Sequence, residues 1–217
     1  CVQSSLNDLK SCLKTNSTSR RDGCPAGNDT VIDMTPFLES DKRIRSHRAA
    51  WKYRGSVRPP FAVVPGVDQE SVWDYPRPPS LAPDPRRVVV RTDKQVLAST
   101  VRAIRVLETA SPPTYYIPPD DVDVDQLAET GQTSSCEWKG MAVDLRLVDG
   151  RQSVAWVYPR VFPEFKAIAG WYAFYPGRIA CFINDERVRA QPGGYYGGWV
   201  TNNIVGPIKG EPGCDGL

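Results

Sequence analysis

The clearest pattern in the chain is a two-residue alternation between positions 138 and 158. Met141, Val143, Leu145 and Leu147 fall at every second position, with Asp144 and Arg146 between them. Successive side chains of a strand point to opposite faces, so this stretch reads as a half-buried strand. It is expected to run over Trp138–Val148, turn at Asp149-Gly150 and return over Ser153–Tyr158, where Val154, Trp156 and Tyr158 share a face. An Asp-Gly pair between two alternating runs signals a hairpin, because the tight turn needs residues that accept positive φ. A first hairpin is predicted from Arg87–Arg91 and Val96–Ser99 around Thr92-Asp93-Lys94-Gln95, and further strands at Thr114–Ile117, Trp171–Tyr175, Ile179–Ile183 and Arg187–Ala190. Residues 101–108 fit both periods: Val101, Ile104 and Leu107 suit a helix, while Ile104, Val106 and Glu108 suit a strand. Short helices are expected over Phe162–Ala169, opened by Pro163-Glu164, and over Ser5–Leu13. Short strands with turn signals at a spacing of about eight to twelve residues predict a mainly β fold. Its form is two packed antiparallel sheets, or a partly open barrel, with one or two short helices and an extended N-terminal arm.

The pattern weakens towards the N-terminus. Residues 1–30 are rich in Ser, Asn, Asp and Gly and cannot bury enough apolar surface to offset the entropy of ordering. Between 31 and 85 the aromatics Trp51, Tyr53, Phe61, Trp73 and Tyr75 stand apart among prolines. Pro59-Pro60 and Pro76-Arg77-Pro78-Pro79 favour extended backbone there. The organisation read from this is a poorly structured extension over 1–65 and one β-rich domain over 66–217. A chain of 217 residues is long enough for one domain with a sizeable core.

Composition narrows the function classes. The formal net charge is +2, with acids and bases interspersed, and this lacks the clustered basic stripe that binds nucleic acid. The densest basic stretch, Lys42 to Arg48, reads as a solvated face. No apolar run approaches the roughly 20 residues of a membrane span, and the chain reads as a soluble protein. The six cysteines, Cys1, Cys12, Cys24, Cys136, Cys181 and Cys214, show no close spacing of the zinc-site kind. With His47 the only histidine, neither a structural zinc nor a histidine-dependent triad within the domain is expected. The chain opens at Cys1, from which a processed or trimmed N-terminus is expected. Sequons at Asn16 and Asn28 would suit a secreted chain without deciding it.

Candidate chemistry concentrates in Ser134-Ser135-Cys136-Glu137-Trp138-Lys139-Gly140. Extending the strand register backwards from Met141 puts Lys139 and Glu137 on the apolar face, where charges are tolerated when paired or functional. Two readings follow. A desolvated Lys139 would have a lowered pKa, fit to act as base or nucleophile and to stabilise a Cys136 thiolate. Alternatively, Glu137 and Lys139 form a buried ion pair that sets the register. Tyr115, Tyr116, Trp138, Trp156, Tyr158 and Tyr175 could line a pocket for a flat or cationic ligand, or could be plain core. The acidic run Asp120-Asp121-Val122-Asp123-Val124-Asp125 has the spacing of a Mg²⁺ site on a nucleotide, but no phosphate-cradling glycine loop adjoins it. Gly193–Gly198 matches no phosphate-loop pattern and reads as turns.

Five segments then occur in a telling order: Val106-Leu107-Glu108-Thr109, Pro113-Thr114-Tyr115-Tyr116-Ile117-Pro118-Pro119, Cys136-Glu137-Trp138-Lys139-Gly140, Ala155-Trp156-Val157-Tyr158-Pro159 and Ile168-Ala169-Gly170-Trp171-Tyr172-Ala173-Phe174-Tyr175. Together they resemble the domain of unknown function 427, a family also labelled nucleotidyltransferase-like, over about residues 86–183. The resemblance extends upstream through Glu70–Pro78 and downstream through Gln191–Trp199, as in longer members. It implies two sheets meeting like the sides of a tent, with a cleft between them and a Cys-X-X-Lys-Gly signature at Cys136, Lys139 and Gly140. Ser135 stands where many members have His or Thr. The site expected from all this has Lys139, Cys136 and Glu108 as reactive groups and the six aromatics as ligand contacts. An unidentified small molecule is the expected partner, with no metal and no cofactor. The alternatives are a module that binds a ligand or protein without turnover, and a Mg²⁺-dependent nucleotidyltransferase at Asp121, Asp123 and Asp125.

Overall fold

Antiparallel ladders account for most of the backbone pairing in residues 42–214, the part of the chain that the computed structural model describes. The helix expected over Ser5–Leu13, the N-terminal cysteines and the sequons lie outside these residues. One α-helix, α1 (Lys42–Ala49), is basic and buries no residue. The strands are β1 (Glu70–Ser71), β2 (Ser80–Asp84), β3 (Val88–Arg91), β4 (Val96–Thr100), β5 (Ala103–Glu108) and β6 (Ser111–Tyr116). After them come β7 (Leu127–Cys136), β8 (Gly140–Leu147), β9 (Ser153–Val157), β10 (Tyr172–Phe174) and β11 (Ala180–Ile183). Four two-residue strands close the chain: β12 (Glu186–Arg187), β13 (Arg189–Ala190), β14 (Trp199–Val200) and β15 (Ile204–Val205). No helix among the described residues is long and apolar enough to cross a membrane.

Eleven of these strands form three larger sheets, in the orders β2-β5-β6, β10-β9-β8-β7 and β12-β11-β3-β4, and the other four pair as β1-β15 and β13-β14. Paired hydrogen bonds between Ile117 and Tyr172, 2.8 and 2.9 Å, carry the first sheet into the second. The joined surface obeys the period of two and so separates two cores. Tyr115, Ala155 and Phe174 point one way, into a core shared with Val88, Val90, Leu97 and Cys181 of the third sheet. Their chain neighbours Tyr116, Trp156 and Ala173 point the other way, into a second core with Trp138, Tyr158, Phe165 and Ile168. A third cluster joins Val72, Trp73 and Tyr75 to Val200, Ile204 and Ile208, where β1 pairs in parallel with β15.

The mainly β reading holds, and local departures have physical causes. Of the ambiguous 101–108, residues 103–108 are strand, because β5 is the central strand between β2 and β6. The helix expected near 162–169 is a 3-10 helix over Pro163–Ile168. Its Phe165 and Ile168 share one face at the three-residue spacing that such a helix aligns. The strand expected from Trp138 begins only at Gly140, because Glu137, Trp138 and Lys139 are the turn of a β7–β8 hairpin in which Cys136 opposes Gly140. Gly140 sits at φ 113°, a backbone conformation open to glycine. Within β8 the expected alternation stands, with Leu145 and Leu147 on the first core and Ala142 buried on the opposite face in the second, while Met141 at the hairpin end is exposed.

Candidate functional site

Because the turn falls at 137–139, the signature residues sit at the end of a hairpin rather than within a strand. Two arginines hold this end in place. Arg48 of α1 donates to the Glu137 carbonyl at 2.7 Å, with its guanidinium 4.9 Å from the Trp138 ring and 4.6 Å from Phe162. Arg77 is buried and bridges two carboxylates, Glu108 at 2.8 Å and Glu137 at 3.1 Å, while its guanidinium stacks 3.8 Å over Trp51. The expected Glu137–Lys139 pair is thus replaced: Glu137 belongs to Arg77, and the carboxylate facing Lys139 is Glu108, at 4.0 Å. That separation is beyond hydrogen-bond reach.

Lys139 itself is 8 % exposed. Burial works against its charged form, but Cys136, Tyr116 and Glu108 around it outweigh that penalty and hold its pKa above the ordinary lysine range. The lowered pKa expected from desolvation is therefore corrected, because a lysine surrounded by acidic groups remains an ammonium. Tyr116 is fully buried, and burial pushes its phenol up to about 12, so the hydroxyl stays protonated at neutral pH. Among the described residues, neither that hydroxyl nor the buried Trp138 indole N–H has a partner in hydrogen-bond geometry.

A cavity of about 280 Å³ opens onto this group. Glu108, Cys136 and Lys139 line it together with Tyr116, Trp156, Tyr158 and Tyr175. Tyr175 stacks on Trp156 with centroids 4.4 Å apart, carries the Arg178 guanidinium 4.2 Å above its ring, and donates to Asp144 at 3.4 Å. Tyr116 meets Trp156 edge-on at 6.4 Å and lies 6.3 Å from Tyr158. Seven of the nine expected site residues therefore share the cavity wall. Trp138 packs behind it in the second core. Tyr115 is placed elsewhere, with its hydroxyl bonded to Arg86 and Asp84 and its ring on Trp199, because neighbouring strand residues face opposite ways.

The acidic run does not converge. Asp121 is engaged by Arg102 at 2.8 Å and by Thr100, while Asp123 and Asp125 are exposed. Among the described residues, no three His, Cys, Asp or Glu side chains gather as a metal site would need.

Sequence reading missed four contributors: Arg77, Gln191, Gly197 and Lys209. Arg77 had a visible signal, a lone charge among prolines beside the aromatic anchors. Gly197 has a steric reason that appears only in three dimensions. A Cβ there would fall 2.1 Å from the Trp156 ring, so the 193–198 segment rests its backbone directly on the cavity wall.

Several antiparallel sheets, a cavity at one hairpin end and a buried lysine in that hairpin's turn define the class: a mainly β domain. Residues 80–185 match the model of the family described as a domain of unknown function (DUF427), and this stretch of the chain belongs to it. No curated protein matches the chain.

Proposed function

We propose that the domain binds a small molecule in the Lys139 cleft. The ligand presents an anionic or carbonyl oxygen to Lys139 and Tyr116, and a planar apolar body to Trp156, Tyr158 and Tyr175. The observation that carries this reading is the pair Lys139 and Tyr116. A buried ammonium stands 4.0 Å from its carboxylate, next to a buried hydroxyl with no hydrogen-bond partner among the described residues, and both face the same cavity. Buried donors normally have acceptors, so the Tyr116 hydroxyl is what a ligand oxygen would satisfy, with the Lys139 ammonium, held among Cys136, Tyr116 and Glu108, supplying the charge beside it. An enzymatic version is favoured by Cys136, which lines the cavity beside Lys139. The thiol would be the nucleophile, with the ammonium placed to stabilise charge developing on a carbonyl oxygen.

Benzoate, a planar monoanion, is a direct probe, followed through the tryptophan fluorescence of the cleft. Saturable binding is expected, with loss of at least about tenfold in affinity in Lys139→Met, since a charge-assisted contact disappears. Binding that Lys139→Met leaves unchanged, or no saturable binding at all, would overturn the reading. Cys136→Ser is expected to keep benzoate affinity, which separates binding from any chemistry at the thiol.

A further inference from the structure

The cleft holds a second cation, to which the reading above gives no role. Lys209 lines the same cavity as Lys139 and comes from the C-terminal segment beyond the family match. Its main chain is fixed on both sides: its N–H donates to Ala110 at 2.8 Å, and its carbonyl accepts from Gln191 Nε2 at 2.9 Å. Its ammonium lies 4.9 Å from the Trp51 ring and 4.8 Å from the Tyr196 ring. Among the described residues it has no carboxylate partner. Aromatic faces hold an ammonium in place without neutralising it, so the charge stays available to an anion.

The same residues seat a segment, Tyr195 to Gly198, that lines the cleft. Gln191 is buried, and the oxygen of its amide accepts from the Gly198 N–H at 3.2 Å while the nitrogen holds Lys209. Gly197 lies on Trp156 so closely that no side chain fits, and a Cβ at Gly198 would fall 2.3 Å from Gln191 Oε1. Gln191 therefore ties that segment and the second cation together at one aromatic wall.

We infer that the ligand is a planar dianion, with one acid group on Lys139, the other on Lys209, and its ring against Trp156 beside the 195–198 segment. This rests on the binding reading above and names the ligand class. A second charge-assisted contact predicts that benzene-1,4-dicarboxylate binds at least about tenfold tighter than benzoate. Lys209→Met should erase that preference while leaving benzoate affinity within about twofold, and Lys209→Arg should restore it. Independently of any variant, raising the ionic strength should weaken the dicarboxylate more steeply than benzoate. Equal affinities for the two probes, equal salt slopes, or a Lys209→Met variant that loses both probes alike would overturn the inference. Failure of the underlying reading looks different: benzoate then does not bind, or binds regardless of Lys139→Met, and the inference falls with it.

Discussion

The hydroxyl of Tyr116 is the smallest feature that separates a binding pocket from a filled core. It is buried, protonated at neutral pH and without a hydrogen-bond partner among the described residues, beside an ammonium whose pKa Cys136 and Glu108 help to hold up. An unpartnered buried hydroxyl lowers stability, because its hydration is lost and nothing replaces it. Tyr116→Phe removes the hydroxyl and keeps the ring that meets Trp156 edge-on. Urea unfolding of this variant should show unchanged or higher stability, by up to about 1 kcal/mol. The benzoate titration should move the opposite way, weakening by roughly fivefold for one lost hydrogen bond. A purely structural tyrosine would not give opposite signs in the two measurements. At this scale Lys139, Cys136, Glu108 and four of the six aromatics named from the sequence do line the cleft, but it is not a strand that turns Lys139 inward, as the alternation predicted, because 137–139 is a turn. Arg77 and Lys209 were not legible in the sequence, because what makes them part of the site is the aromatic face each one rests on, Trp51 in both cases, and not their neighbours in the chain.

At the scale of elements, the β2-β5-β6 sheet is stapled by one carboxylate. Asp84 at the end of β2 receives Arg86 at 2.6 Å, Arg105 of β5 at 3.4 Å and the Tyr115 hydroxyl of β6 at 3.2 Å. Burial alone would raise the Asp84 pKa, but the side-chain and backbone hydrogen bonds from Arg86 and the charges of Arg86 and Arg105 outweigh it and hold the pKa below the usual range. A carboxylate with a depressed folded pKa stabilises the fold fully above its unfolded value, near about 3.9, and loses that contribution as pH falls towards the folded value. Urea unfolding at a series of pH values should therefore show stability falling below about pH 4. Asp84→Asn should flatten that part of the profile and cost roughly 2–3 kcal/mol at pH 7. The elements themselves were mostly legible: the β8–β9 and β3–β4 hairpins follow from alternation and turn residues. The β7–β8 hairpin was not, because Thr130-Gly131-Gln132-Thr133-Ser134-Ser135 is polar throughout and bulged near Gly131, at φ 80°. A strand whose neighbour is supplied by tertiary pairing carries little periodic signal of its own. Missing it misplaced the turn, and with the turn the faces expected for Glu137, Trp138 and Lys139.

At the scale of the whole molecule, the family segment is not a closed unit. Residues 80–185 supply every strand of the three larger sheets but β12, yet the first core is completed by Val188 and Trp199 from beyond them. Trp199 is fully buried, lies 4.9 Å from the Tyr115 ring and donates its indole N–H to the Phe174 carbonyl at 3.0 Å. It thereby joins β6 and β10, the two strands at which the sheets are bridged. β14, which carries it, is held in turn by β13, and the parallel β1–β15 pair draws the upstream segment onto the downstream one. Trp199→Ala should cost about 3–5 kcal/mol through lost apolar burial and the cavity left behind. The fragment 80–185 loses that ring together with all of the third cluster but Ala110 and Leu107, so its thermal unfolding should be broad and non-cooperative where residues 42–214 melt in one transition. The same fragment lacks Trp51, Arg77, Gln191 and Lys209, so groups that lock Glu137 and help to line the cleft vanish with most of the third core. A fragment that melted cooperatively and still bound benzoate would show instead that the segments flanking it are accessory to both fold and site. The packing of Trp199 argues the other way: the residues outside the family match finish the core and the cleft in the same step.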